Sequence, residues 1–178
     1  PSQQHLFSKL THLALVSTVD QAVQATCDAI VIIGPLFAEF KPSLEYVRSS
    51  IKAFEIARKA HIPVIVVHDQ LAHQADGVHF LCELGYVESS VHTQHSNPVV
   101  ATVGGLTIAI RLGTSGLTDS KADLTIGVIS GNADAATLMA RIDLSDNLII
   151  DARTSSPGQS TIGTTPVIEP GRAGPPVY

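Results

Sequence analysis

Between residues 28 and 69 the apolar positions form two runs separated by a helical stripe. Asp28-Ala29-Ile30-Val31-Ile32-Ile33-Gly34-Pro35 is apolar through its middle and stops at Gly-Pro. Ile62-Pro63-Val64-Ile65-Val66-Val67 is the second run and stops at His68-Asp69. Between them Leu44, Val47, Ile51 and Phe54 recur every three or four residues. That spacing predicts a helix over Ser43 to Ala60, with Ser43 as its N-cap just after Pro42. Strand, helix and strand make a βαβ unit, which implies parallel strands and a sheet covered on both faces. Sites in such sheets form at the carboxyl ends of the strands. Gly34-Pro35 and His68-Asp69 are therefore the first places to seek function.

The flanking pattern extends this unit. Residues 1–11 read as a polar or helical lead-in, His12 to Ser17 as a short apolar strand, and Thr18 to Thr26 as a short helix with Val19, Ala22 and Val23 on one side. Residues 68–98 are polar and His-rich, which predicts a long surface loop with a single helical turn near His79 to Leu84. Val99 to Val103, Gly104-Gly105 and Leu106 to Ile110 carry the signature of a β-hairpin. Leu124 to Ile129 is a further strand, ending at Ser130-Gly131. Ala133 to Ile142 reads as a short helix and Asn147 to Asp151 as a strand. From Thr154 onward the chain is rich in Gly, Pro, Ser and Thr, with one β-like patch at Val167-Ile168. No repeat or low-complexity linker divides the sequence. We expect one domain over residues 1–178, of mixed α/β layered class.

Composition narrows the function classes. The 178 residues are 44% hydrophobic and have a mean hydropathy of +0.25, which suits a well-folded globule. The net charge is −5 and no basic block is present, so direct nucleic-acid binding is not expected. An aromatic content of 4% with no Trp disfavours stacking platforms for single strands. Cys27 and Cys82 form neither a disulfide framework nor a CxxC pair, which points to an intracellular, cytoplasmic or nuclear setting. No apolar run reaches the roughly 18 residues of a membrane span, and no signal-peptide pattern opens the chain.

Four constellations could carry chemistry. His68, Asp69, His73, His79, His92 and His95 are of the types that ligate zinc and similar ions. His68, Asp69 and His73 are the metal candidates, but neither His92/His95 nor His68/His73 has the spacing of a helical metal pair. Solvated loop histidines are the plainer reading. Gly113-Thr114-Ser115-Gly116 is a turn that lacks the GxSxG pattern of a nucleophile elbow. Cys27 precedes a strand and Cys82 lies in the predicted loop, where inert thiols are the expectation. No GxxxxGK[ST] or GxGxxG follows a strand, which sets aside those mononucleotide sites. The last constellation is an ordered series of turns at strand ends: Ser17-Thr18-Val19-Asp20, Gly34-Pro35-Leu36, His68-Asp69, Leu112-Gly113, Ala152-Arg153-Thr154-Ser155 and Glu169-Pro170-Gly171-Arg172.

That series resembles the calcineurin-like metallophosphoesterases. Their pattern runs S-D-x-H-G, G-D, G-N-H-D/E, H-G, G-H-T-H and N-P-G-S. The resemblance covers nearly the whole chain and implies a four-layer α/β/β/α arrangement of sheets and helices. It also implies that most ligands of the family's two-metal site have been replaced. Thr18 and Asp20 stand where the first Asp and His would be. Pro35 replaces the bridging Asp, Leu112 a His ligand, and Arg153 and Ser155 the two His of the G-H-T-H turn. His68-Asp69 alone could match the catalytic His and its Asp. A two-metal site needs several convergent ligands, so the resemblance implies the fold without the activity, and no cofactor.

Within that fold, Gly34-Pro35-Leu36-Phe37, Ser96-Asn97-Pro98 and Leu112-Gly113-Thr114-Ser115-Gly116 are similar to segments of the non-catalytic B subunits of replicative DNA polymerases. The small retromer subunit is a second scaffold of this fold and about this length. The expected function is thus a non-catalytic interaction subunit whose partners are other protein subunits, with Pro35, Leu36, Phe37 and Phe40 as an exposed contact patch. The enzyme readings are a phosphoesterase using His68 and Asp69, or a hydrolase of the isochorismatase-like kind. In the latter, Gly34 stands at the expected Asp, and Ala133 or Asp134 lies near the expected Cys.

Overall fold

In a computed structural model, the described residues are 3–33, 36–37, 42–68, 75–87, 89–92, 99–112, 121–129, 147–152 and 156–170. The chain divides into two compact units that meet in sequence at Ser90 and Val91.

The first unit contains α1 (Gln3–Gln24), β1 (Ile30–Ile33), α2 (Leu44–Lys59), β2 (Val64–His68) and α3 (Ala75–Glu83), and β3 (Ser89–His92) crosses its boundary. The strands form a sheet in the order β1-β2-β3. β1 and β2 are parallel, with Ile30 beside Val64 and Ile33 beside Val67. The predicted βαβ unit is therefore present. Val64 and Val66 join the core cluster with Ile30, Ala53, Phe54, Ala57, Val78 and Leu81. Ile65 and Val67, on the opposite face of β2, are also fully buried. Covering on both faces is what a parallel strand without polar alternation requires.

α2 follows its sequence signals closely. The Ser43 hydroxyl accepts the Tyr46 amide at 3.4 Å. Phe54, Ala53 and Ala57 are buried, whereas Leu44, the first residue of the expected stripe, stands 65% exposed. Each of the three helices among the described residues ends in the same motif. After α2, His61 takes φ +58, and the amides of His61 and Ile62 bond the carbonyls of Arg58 and Ala57. Thr26 (φ +52) and Cys27 close α1 this way on Val23 and Ala22, and Gly85 (φ +71) and Tyr86 close α3 on Cys82 and Leu81. Each motif satisfies two carbonyls that a helix end would otherwise orphan.

Two sequence expectations do not hold. His12 to Ser17 is not a strand but the middle of α1, which continues unbroken to Gln24. The apolar run Leu13-Ala14-Leu15-Val16 fits either period when read alone. Extended to residue 23, the positions packed on the core are Leu15, Val16, Val19, Ala22 and Val23, which is a helical stripe. The 68–98 stretch is likewise not one surface loop. It contains α3 and β3, and Val78, Leu81 and Val87 are buried. Its polar residues conceal a short apolar stripe.

The second unit is a six-stranded sheet made of β4 (Val99–Val103), β5 (Leu106–Leu112), β6 (Leu124–Ile129), β7 (Leu148–Asp151), β8 (Pro157–Ile162) and β9 (Thr165–Pro170). Its order is β4-β5-β6-β7-β9-β8. The inner four strands are parallel, and an antiparallel hairpin closes each flank. The predicted Gly104-Gly105 hairpin is present, with Val103 opposite Leu106 and both glycines at positive φ. Positive φ at both loop positions is the type I′ arrangement that matches strand twist. Of the β8–β9 hairpin, only the Val167-Ile168 patch is foreshadowed in the sequence. β8 reads Pro-Gly-Gln-Ser-Thr-Ile and buries none of its side chains fully, so it carries no apolar alternation to detect. The register places Ile110, Ile126 and Val128 on one face and Ala109, Ile149 and Val167 on the other, all of them buried. The expected helix over Ala133 to Ile142 lies outside the described residues.

The two sheets, their parallel strands and the helices establish the α/β class.

Candidate functional site

Each unit presents one edge where parallel strands end together. In the first unit that edge is reached by Ile33 of β1 and His68 of β2. Gly34, Pro35, Asp69 and His73 lie outside the described residues. In the second unit it is reached by Leu112 of β5, Ile129 of β6, Asp151 of β7 and Pro170 of β9.

The second edge carries two carboxylates. Asp151 sits beside Ile129 in the register and is only 6% exposed. Ile150 lies beside Ile168 on β9, so one step further brings Glu169 alongside Asp151. A carbon built at Gly158 would lie 2.9 Å from Glu169 Oε2, so the carboxylate lies across the bare backbone of β8. Among the described residues, no group of three or more His, Cys, Asp and Glu side chains converges as a metal site.

The opposite, amino edge of the same sheet is occupied by structural hydrogen bonds. Asp123 precedes β6; its carboxylate accepts the Thr107 amide at 2.8 Å, and its own amide returns a bond to the Thr107 carbonyl. Asn147 precedes β7 and repeats this, its Oδ1 accepting the Thr125 amide at 2.8 Å and the Thr125 hydroxyl at 3.1 Å. These clamps fix the register of β5, β6 and β7. They hold Leu112, Ile129 and Asp151 level at the far edge.

The residues singled out from the sequence fall as follows. Thr18 and Asp20 lie in α1 and not at a strand end. The Thr18 hydroxyl donates to the Ala14 carbonyl at 2.9 Å, a bond made within the helix itself. The strand expected to bring the first two family ligands is therefore absent at this position. Leu112 does end a strand, as expected, while Arg153 and Ser155 lie outside the described residues. Leu36 is half-buried and Phe37 only 5% exposed. Phe37 packs against α3, where a carbon built at Gly77 would meet its ring at 2.8 Å and Pro42 at 3.2 Å. Phe37 is thus a core residue and cannot serve as the exposed contact expected of it; Pro35 and Phe40 are not among the described residues. His79 is exposed and pairs with Glu83 at 3.3 Å on the same helix. Cys27 is exposed and Cys82 half-buried. In the sequence, Asp151 and Glu169 stand out only as strand-end residues. Their adjacency depends on the β7–β9 pairing, which bridges a hairpin and leaves no local signal.

No family model and no curated protein sequence matches the chain. Among solved structures, TT1561 of Thermus thermophilus is similar, with a TM-score of 0.56 and 16% sequence identity. The match covers 90% of this chain and 84% of that one. At this identity it speaks to fold alone. No helix among the described residues is long and apolar enough to cross a membrane.

Proposed function

We propose that the chain is a non-catalytic interaction subunit built on a metallophosphoesterase-like fold, with other protein subunits as its partners. The observation that carries this reading is the placement of Thr18 and Asp20 within a helix. A two-metal phosphoesterase needs ligands from several strand ends at once. Here the first two positions are helical, and β5 ends at a leucine, Leu112. Under this reading Pro35, Arg153 and Ser155 are further replaced ligand positions. The resemblance of the Gly34-Pro35-Leu36-Phe37 sequence makes an accessory subunit of the polymerase B type the more specific form of the proposal.

The test is catalytic and direct. Bis-p-nitrophenyl phosphate with Mn²⁺ or Zn²⁺ should give no turnover above a metal-only control. Turnover abolished in a His68→Ala variant would overturn the reading. It would favour instead a phosphoesterase using His68 and Asp69, whose support is that β2 ends at His68 beside a parallel β1.

A further inference from the structure

β4 and β8 are the two outer strands of the six-stranded sheet, and they are finished differently. A two-residue hairpin makes its flanking residues a hydrogen-bonded pair. In β8 the inward-bonding residues are therefore Gly158, Ser160 and Ile162, and the outward row is Pro157, Gln159 and Thr161. That row begins with a proline, which has no N–H to offer, a common device for blunting an edge. In β4 the inward row is Val99, Ala101 and Val103, and the outward row is Val100 and Thr102. This row has a full complement of donors and acceptors. The strand Val-Val-Ala-Thr-Val contains no charge, proline or glycine. Among the described residues no strand pairs with its outer side, and Val100 is 54% exposed.

We propose that the β4 edge joins two copies of this chain. The register assigns the geometry. An antiparallel pairing about a twofold axis through Ala101 sets Val100 opposite Thr102 of the second copy, and Thr102 opposite its Val100. Each is a hydrogen-bonded pair, so four main-chain bonds form and every outward group of the row is used. Both residues are β-branched, and cross-strand pairs of that kind stabilise sheets. Because the strand is uncharged, like charges do not oppose each other at the axis, although the chain carries a net −5. The result is a closed, isologous dimer with one continuous sheet. It holds whether or not the fold is catalytic.

The test is sedimentation equilibrium over a rising concentration series, paired with hydrogen exchange. The mass should climb from one chain towards two, and the Val100 and Thr102 amides should exchange more slowly as it does. Thr102→Pro removes a donor, and Val100→Lys keeps the backbone while placing two cations near the axis. Each should abolish the dimer. A single-chain mass throughout, exchange at these amides that ignores concentration, or a dimer that survives in a folded Val100→Lys variant would each overturn the proposal.

Discussion

At the scale of single residues, small groups decide what can sit beside them. Gly77→Ala improves helix propensity by about 1 kcal/mol. The new methyl, however, would sit 2.8 Å from the ring of the buried Phe37, and overpacking of that kind costs about 1–3 kcal/mol. The same methyl would also lie 3.2 Å from Pro42, so the clash wins. Urea denaturation should show a net loss of roughly 1–2 kcal/mol, and Phe37→Leu in the same chain should recover part of it. The opposite sign is expected at Thr26. A β-branched residue at φ +52 carries a left-handed conformation that costs about 1–2 kcal/mol outside glycine. Thr26→Gly should stabilise the protein by roughly 0.5–1 kcal/mol after the extra unfolded-state entropy of glycine is set against it. An unchanged or lowered midpoint would contradict this. Neither site is visible in the sequence. Gly77 and Phe37 are far apart along the chain, and Thr26 has no compositional mark of a helix cap.

At the scale of elements, what can be read depends on how local the cause is. The Gly104-Gly105 hairpin, the Ser43 cap and the β1–α2–β2 unit all rest on neighbours in sequence, and all three are legible. Residues 12–17 read as a strand because so short a run does not fix a period, and α1 emerges only when the stripe is followed to residue 23. β8 escapes notice because its pairing with β9 rests on main-chain bonds and a glycine turn rather than apolar alternation. The candidate site is less legible than the fold. Asp151 and Glu169 become neighbours only through a parallel pairing of strands separated by a hairpin. The elements also differ in what their loss would cost. Phe54 is fully buried in the core of the first unit, and Phe54→Ala should cost about 3–5 kcal/mol. Asn147→Ala removes an exposed clamp and should cost only about 0.5–1.5 kcal/mol. Thermal denaturation of the two variants would rank them, and a larger effect at Asn147 would mean that the clamps carry more of the sheet than their exposure suggests.

For the whole molecule, the proposed loss of catalysis has a thermodynamic counterpart. An ion that binds the folded state raises its stability by about 2.7 kcal/mol when present at 100 times its dissociation constant. A non-catalytic scaffold with replaced ligands should show no shift in melting temperature when Mn²⁺ or Zn²⁺ is titrated in. A saturating rise would require a metal site and would count against the proposal.

The symmetry of the second sheet, two central strands between two hairpins, also bears on the order of its assembly. A hairpin closes over two residues and forms in about 1–10 μs. Pairing β5 with β6, or β6 with β7, must first close a much longer crossover, and non-local pairings of that kind slow folding. The flanks of the sheet should therefore be in place before its centre. Substitutions at Val103 and Thr165, beside the two turns, should slow folding, and Ile126→Val or Ile149→Val should chiefly speed unfolding. In this picture β6 and β7 are laid last, between two finished rims, and the buried aspartate at the end of β7 is among the final groups to leave water.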